Sequence, residues 1–405
     1  MHAQGTDVDV VEVLTGLYGF RVRDARESDG VLVIEAELAA GEAACPECGV
    51  FSASLKQGPG RPQRLRDAPS FGRRVTVWWW KRRFRCLTSG CSKRSFVERS
   101  PLVAPRARTT ERLRDLAWRW VRTRPVSEVA SEVGVSWQTV WRWTAPRIEA
   151  ALEGREVPTC LGLDETSFRR PQRFATGLVD LDTGRLHDLL EGRSGRKVAS
   201  WLTEHGAADR VREVAMDPYS GFLRAVRDRT EATVVLDHFH VIRLANQALT
   251  DLRCRRQQEL CGHRGRKHDP LWAARRDLLR GAERLTPGQA GRIRRAFQAD
   301  PYDELECAWV LKETIRDIYQ APNRKQAEGQ LTEWYQLVET YDLPEFHKLA
   351  GTLRRWQPQL LAYFDGHLSN GRTEGRNLVI KQVKRTGYGY RNFNNYRLRV
   401  LHRCA

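Results

Sequence analysis

Two short cysteine pairs, Cys45-Pro-Glu-Cys48 and Cys86-x4-Cys91, constrain the first quarter of this 405-residue chain more than any other feature. Each pair offers two thiolates from one tight turn, and four thiolates meet the tetrahedral demand of zinc. Gly49 and Gly90 stand where such turns call for a positive φ. The chain has nine cysteines, an odd number, and opens on the acidic, polar MHAQGTDVDV rather than on a secretory signal. A reducing, cytoplasmic setting is therefore expected, with metal ligation in place of a disulfide framework. All four ligands come from protein, so the predicted site is closed and structural and holds one Zn2+. A redox role for Cys45 and Cys48 lacks the βαβ context such motifs need.

Lys and Arg outnumber Asp and Glu by 68 to 50, a net charge of +18 that points to nucleic acid or another polyanion. The excess is unevenly placed. Residues 1–50 carry ten acids and three bases, whereas 61–124 carry nineteen bases and four acids. Residues 370–405 add nine bases against one acid. An Arg-rich genome accounts for one such block more readily than for two. With 41% hydrophobic residues the composition is that of a globular chain. No apolar run approaches the roughly 18–20 residues of a membrane span.

Residues 8–14, 20–27 and 31–38 read as short strands, and 73–86 as strongly β-prone. A three-helix unit follows. Residues 109–122 form its first helix and 126–133 its second, with apolar Val126, Val129, Ala130 and Val133. Gly134 makes the turn, and Ser136 caps a third helix over 137–144. This is a helix-turn-helix pattern whose last helix enters the major groove. Gln138, Thr139 and Arg142 are the candidates to face DNA there.

From 159 the pattern alternates strand and helix. TCLGLDETSF (159–168) is an apolar strand expected to end in Asp164, and 173–184 and 185–192 give two more strands. A helix covers 196–206, VREVAMDPYSGF (211–222) gives a strand ending in Asp217, and EATVVLDHFHV (231–241) gives a fifth. That order is the order of a ribonuclease-H-like sheet, in which the first and fourth strands are neighbours. Two carboxylates one strand apart repel unless a hard divalent cation lies between them. Glu374, in SNGRTEGRN (369–377), would arrive on a helix to complete a three-acid site. Asp237 also closes a strand. We take Asp217 as the second acid because the fourth strand carries it in this fold, and Asp237 and His240 as auxiliary. His238 and His240 alternate along an extended segment and are read as structural or DNA-facing. Cys254, Cys261, His263 and His268 are too irregular, and too deep in basic helix, to read as a second zinc set. Residues 245–365 look entirely helical.

Taken together, Cys45/Cys48, Cys86/Cys91, the helix-turn-helix, LGLDE, AMDPYSGF, VVLDHFHV, SNGRTEGRN and KRTGYGYRNFNNYRLRV resemble a bacterial DDE-type insertion-sequence transposase of the ISL3 family. The resemblance spans nearly the whole chain. It implies a multidomain α+β protein: a zinc-binding, β-rich module (1–100), a helix-turn-helix domain (101–155), and a ribonuclease-H-like catalytic core. The core would begin at 156–244, be interrupted by an all-helical insertion (245–365), and close with 366–405. It further implies that Asp164, Asp217 and Glu374 hold two Mg2+, which serve strand cleavage at terminal inverted repeats and strand transfer into target DNA. Arg372, Arg376, Lys381, Lys384 and Arg385 would grip phosphates near the site. Double-stranded DNA is the expected partner, and two element ends call for a homodimer or larger synaptic complex. Two alternatives stand beside this one: a non-catalytic DNA-binding protein derived from a transposase, and a nuclease of the same fold without strand transfer.

Overall fold

The computed structural model describes residues 10–169 and 173–404. They form two units, one reaching Glu153 and taking in 385–391, the other running from Gly154 to Lys384 and resuming at Asn392. The expected N-terminal strand begins at residue 8, so its first two residues lie outside the described ones.

The first unit runs α1 (Val10–Thr15), β1 (Phe20–Ser28), β2 (Val31–Leu38), β3 (Ala43–Ala44), β4 (Phe51–Ser52), β5 (Leu55–Gln57), β6 (Gln63–Ser70), β7 (Arg73–Trp79), β8 (Arg83–Arg85) and β9 (Ser95–Val97). The helices α2 (Glu111–Val121), α3 (Val126–Val133) and α4 (Trp137–Leu152) follow. β1, β2, β7 and β6 pair in that order. Alternation sets the two faces of this sheet. Phe20, Ile34, Ala36, Leu65, Val75, Val77 and Trp79 point into one core. Rows across the other face read Arg26, Val33, Thr76, Arg66 and Asp24, Glu35, Trp78, Arg64. α1 corrects the strand expected over 8–14. Adjacent Val10 and Val11 break the alternation, Gly16 at φ +62° ends the turn, and the Thr15 hydroxyl donates to the Val11 carbonyl.

α2, α3 and α4 close on Leu113, Ala117, Val121, Val129, Ala130, Val133 and Val140. Thr110 caps α2, Gly134 turns at φ +71°, and Ser136 caps α4 by accepting from the Thr139 N–H. α4 runs eight residues past the expected end at 144. Val140, Thr144 and Ile148 continue one buried stripe at i, i+4 spacing, and that packing outweighs Pro146 within the helix. Buried Asp67 on β6 accepts from the Thr110 hydroxyl (2.6 Å) and Arg112 Nε (2.6 Å), fixing α2 to the sheet. Arg74 on β7 donates to the Ser131 carbonyl of α3 (2.7 Å).

The second unit runs β10 (Cys160–Arg169), β11 (Arg173–Asp180), β12 (Leu186–Glu191), α5 (Gly195–Glu204), β13 (Glu213–Met216), α6 (Ser220–Arg227) and β14 (Thr233–Leu236). Its sheet is ordered β12-β11-β10-β13-β14, antiparallel across the first three strands and parallel across the last three. Beyond it the described residues are helical: α7 (His238–Cys261), α8 (Pro270–Ala273), α9 (Pro287–Gln298), α10 (Glu304–Ile318), α11 (Arg324–Tyr341), α12 (Pro344–Leu361), α13 (Tyr363–Gly366), α14 (Gly371–Thr386) and α15 (Phe393–Cys404). One apolar core joins the sheet to these helices, with Val214, Met216, Val234 and Leu236 meeting Leu249, Leu311, Trp334 and Leu353 in a continuous cluster. No helix of the described residues is long and apolar enough to cross a membrane.

Two strand ends differ from expectation. β14 stops at Leu236, where its pairing with Met216 ends, and the chain turns at once into α7. His238 and His240 therefore lie in a first helical turn and not along a strand. β10 continues past Asp164 to Arg169 because β11 pairs with it on the other side.

Candidate functional site

The parallel pair β10/β13 ends at Leu163 opposite Met216, so Asp164 and Asp217 occupy the next positions on neighbouring strands. Both line a cavity of about 570 Å3. Burial, and then the charge of Asp217, lift the Asp164 carboxyl to about 6, against a hydrogen bond from the Glu165 N–H (2.6 Å). Asp164 is thus a mid-strand acid made terminal only with respect to β13.

Asp237 is fully buried behind this pair. Its Oδ1 accepts from the Asn370 N–H (3.1 Å) and its Oδ2 meets His240 Nδ1 at 2.9 Å. His240 Nε2 reaches Asp217 Oδ2 at 2.7 Å. The imidazole thus bridges two carboxylates. Burial alone would lower its pKa, but the hydrogen bonds to Asp217 and Asp237 raise it to about 9. The i, i+3 spacing of Asp237 and His240, on the first turn of a helix, is what aims the ring at Asp217.

Glu374 arrives on the first turn of α14 and lines the same cavity, with its side chain exposed. Gly162 permits that approach. A Cβ there would lie 2.3 Å from Thr373 Oγ1 and 2.7 Å from Asn370 Oδ1. Asn370 Nδ2 also donates to the Leu163 carbonyl (3.2 Å). One turn beyond Glu374, Asn377 donates its Nδ2 to Asp164 Oδ2. Asn370, Asn377 and Gly162 escaped the sequence reading, although 370, 374 and 377 sit at helical spacing inside a motif already singled out.

The basic candidates divide. Lys381 lines the cavity, as does Arg243 of α7, which had not been expected there. Arg372 donates to the Leu181 and Asp182 carbonyls, Arg376 to the Gly184 carbonyl, and Lys384 to the Ser167 carbonyl. These three clamp α14 to the sheet. Arg385 is exposed farther along α14.

The chemistry of the donors suits a hard divalent cation. Ligand atoms of Asp164, Asp217 and His240 lie within 4.8 Å of one another, and Asp217 Oδ1 is buried with no hydrogen-bond partner. An orphaned carboxylate oxygen beside a second acid is a place where a cation offsets both desolvation and like-charge repulsion. Glu374 stands outside this close group and shares only the cavity.

In the first unit the four sulfurs of Cys45, Cys48, Cys86 and Cys91 converge. Cys45 and Cys91 are 3.9 Å apart, and Cys48 and Cys86 3.6 Å. Tetrahedral zinc with bonds near 2.3 Å sets its sulfurs roughly 3.8 Å apart. Phe84 and Phe96, stacked at 6.1 Å, back the cluster. Gly49 adopts φ +73°, but Gly90 does not take a positive φ. In the second unit Cys261 and His263 gather with Asp269, without Cys254 or His268. His263 Nδ1 accepts from the Gly265 N–H there, and Asp269 from the Arg266 N–H.

On α4, Gln138 and Arg142 are exposed and Thr139 is half-buried, its hydroxyl 2.9 Å from that of Ser136.

Comparison with known proteins agrees with this layout. A family model described as transposase matches residues 161–400. One for the helix-turn-helix domain of transposase family ISL3 matches 98–145. A third, the zinc-finger of transposases IS204, IS1001, IS1096 and IS1165, matches 41–91. The transposase for insertion sequence element IS1001 of Bordetella parapertussis is 25% identical over 403 residues, 97% of each chain. The transposase for insertion sequence element IS1557 of Mycobacterium tuberculosis is 27% identical over 288 residues, 64% of this chain and 63% of that one.

Proposed function

The chain belongs to the ISL3 family of transposases, and from that membership we propose that it binds the terminal inverted repeats of an insertion sequence and catalyses cleavage and transfer of DNA strands through Asp164, Asp217 and Glu374. The reading is carried above all by the meeting of these three acids on one cavity, with Asp217 Oδ1 left unpartnered. On this reading the strand order β12-β11-β10-β13-β14 is a ribonuclease-H-like core, and α7–α13 are an insertion between its second and third acids. On the same reading we propose domain limits near 100, 155, 244 and 365, with α7 beginning six residues before the third of them.

Asp164, Asp217 and Glu374 would hold Mg2+, which supplies the positive charge that favours a deprotonated attacking oxygen and steadies the leaving oxygen. His240 holds Oδ2 of Asp217, while Oδ1 is buried with no hydrogen-bond partner. Asn377 holds Oδ2 of Asp164, whose Oδ1 accepts from the Glu165 N–H. Lys381 and Arg243 offset phosphate charge at the cavity mouth. In the first step water attacks the phosphorus at the element end and the 3′-oxygen leaves. In the second the freed 3′-hydroxyl attacks a target phosphodiester, so the number of phosphodiester bonds is conserved across the joining. Asp237 is the weaker candidate for the second acid, since both its oxygens are taken up by His240 and the Asn370 N–H. A structural Zn2+ in the four-cysteine cluster would brace the first unit.

The test is cleavage and joining of a labelled element-end duplex in Mg2+. Wild type should cut and join, and Asp217→Asn should do neither while still binding the end. Specific binding with no wild-type chemistry in Mg2+ or Mn2+ would leave a DNA-binding protein with an inactive core.

A further inference from the structure

The outer face of the β1-β2-β7-β6 sheet and the first turn of α4 enclose a second cavity of about 590 Å3. Its charge comes from Arg64 and Arg66 on β6 and from Arg108 in the loop before α2, all three exposed. Among the described residues, none of these guanidinium groups has an acidic or hydrogen-bonded partner. Several other basic residues of the unit, Arg26, Arg73, Arg82, Arg112, Arg114 and Arg124, are by contrast each paired with Asp or Glu. Glu35, in the same row as Arg64, is already held by Arg26 (2.5 Å) and by Trp80 Nε1 (2.9 Å).

The cleft is also built to stay in place. The Arg64 guanidinium lies 4.5 Å over the Trp78 ring, which limits its rotamers. The Arg66 N–H donates to the Arg108 carbonyl (3.0 Å), so two of the three side chains leave adjacent backbone. Asp67 with Thr110 and Arg112, and Arg74 with Ser131, fix the helix-turn-helix to this sheet. Ser136 and Thr139 of α4 form the facing wall. Three like charges in one cleft, unpaired and partly immobilised, have phosphate as their complement.

We propose that this cleft is a phosphodiester-backbone site for duplex DNA. Arg64, Arg66 and Arg108 take phosphates of the strand that borders the groove entered by α4. The proposal rests on the reading of α4 as the DNA-facing helix, and it adds to that helix a docking surface supplied by the zinc-bearing part of the unit. Such contacts set register and affinity and carry no sequence information.

The test uses the full chain, a terminal-repeat duplex and a scrambled duplex, with binding measured across a salt series. Replacing Arg64, Arg66 and Arg108 together by Gln should make log K against log salt shallower by roughly 2–3, since each phosphate contact contributes about one. Both duplexes should lose affinity alike, so their ratio stays. The triple Lys variant should keep most of the slope. Wild-type affinity and slope in the Gln variant, with binding still weakened by Arg142→Ala, would overturn the cleft and leave the α4 reading standing. Equal loss in the Gln and Lys variants would assign the effect to folding and overturn it too. A wild type that does not prefer the terminal repeat would remove the reading beneath the proposal, and the proposal with it.

Discussion

Gly162 is the residue on which the acid site turns. It has no side chain, so the start of α14 can lie against β10 and bring Glu374 and Asn377 over Asp164. Gly162→Ala would set a methyl group 2.3 Å from Thr373 Oγ1. Thr373 is fully buried and cannot swing away. Overpacking of this kind costs about 1–3 kcal/mol. We expect Gly162→Ala to lower thermal stability and to cut strand cleavage more than tenfold, while end binding, which we assign to the helix-turn-helix, is unchanged. Cleavage at the wild-type rate would show that α14 has no need of this close approach.

At the level of elements, we expect the cysteine-bearing turns to depend on a bound zinc. β3, β4, β5, β8 and β9 are two or three residues long, and the apolar centre they share is Phe84, Phe96 and Cys45. Strands that short with so small a core do not hold by themselves. Full-length protein should contain one equivalent of zinc, and Cys86→Ser should contain much less. The variant should be cut faster by protease between 43 and 97. Unchanged protection without metal would assign the brace to the protein alone.

Element type was legible in the sequence where one period dominates. Arg73–Trp79 alternates cleanly, and 126–144 shows apolar helical spacing around Gly134. Legibility failed where the deciding term is a neighbour. VVLDHFHV keeps strand-like alternation through His240, yet β14 stops where β13 runs out of residues to pair with. Asp237 then opens α7, and its carboxylate serves His240 and Asn370 instead of capping the helix. Asp164 and Asp217 could be singled out because each follows an apolar run. Asn377 and Gly162 could not, because their roles arise from contact between segments about 210 residues apart.

At the scale of the whole molecule, the candidates for binding and those for chemistry fall in different units. DNA-contacting candidates Gln138, Thr139 and Arg142 lie before Glu153, and the three acids lie after it. Transposition joins two element ends, so we expect two copies of the chain on a paired-end complex. Sedimentation of protein with end duplex should give a species holding two chains and two duplexes. A stable one-to-one complex that still completes strand transfer would argue against that stoichiometry.

The distance from Asp217 to Glu374 is 157 residues, most of it taken by helices α7–α13. Seen from the ribosome, that interval is a delay. At roughly 5–20 residues per second, Glu374 is polymerised about 8–30 s after Asp217 and still longer after the helix-turn-helix. On the reading proposed above, a nascent or prematurely terminated polypeptide would carry the candidate DNA-facing helix α4 well before it carries its third acid. On that reading, truncated products that fold through α4 would occupy element ends without cutting them, as competitors of the full-length protein made from the same message.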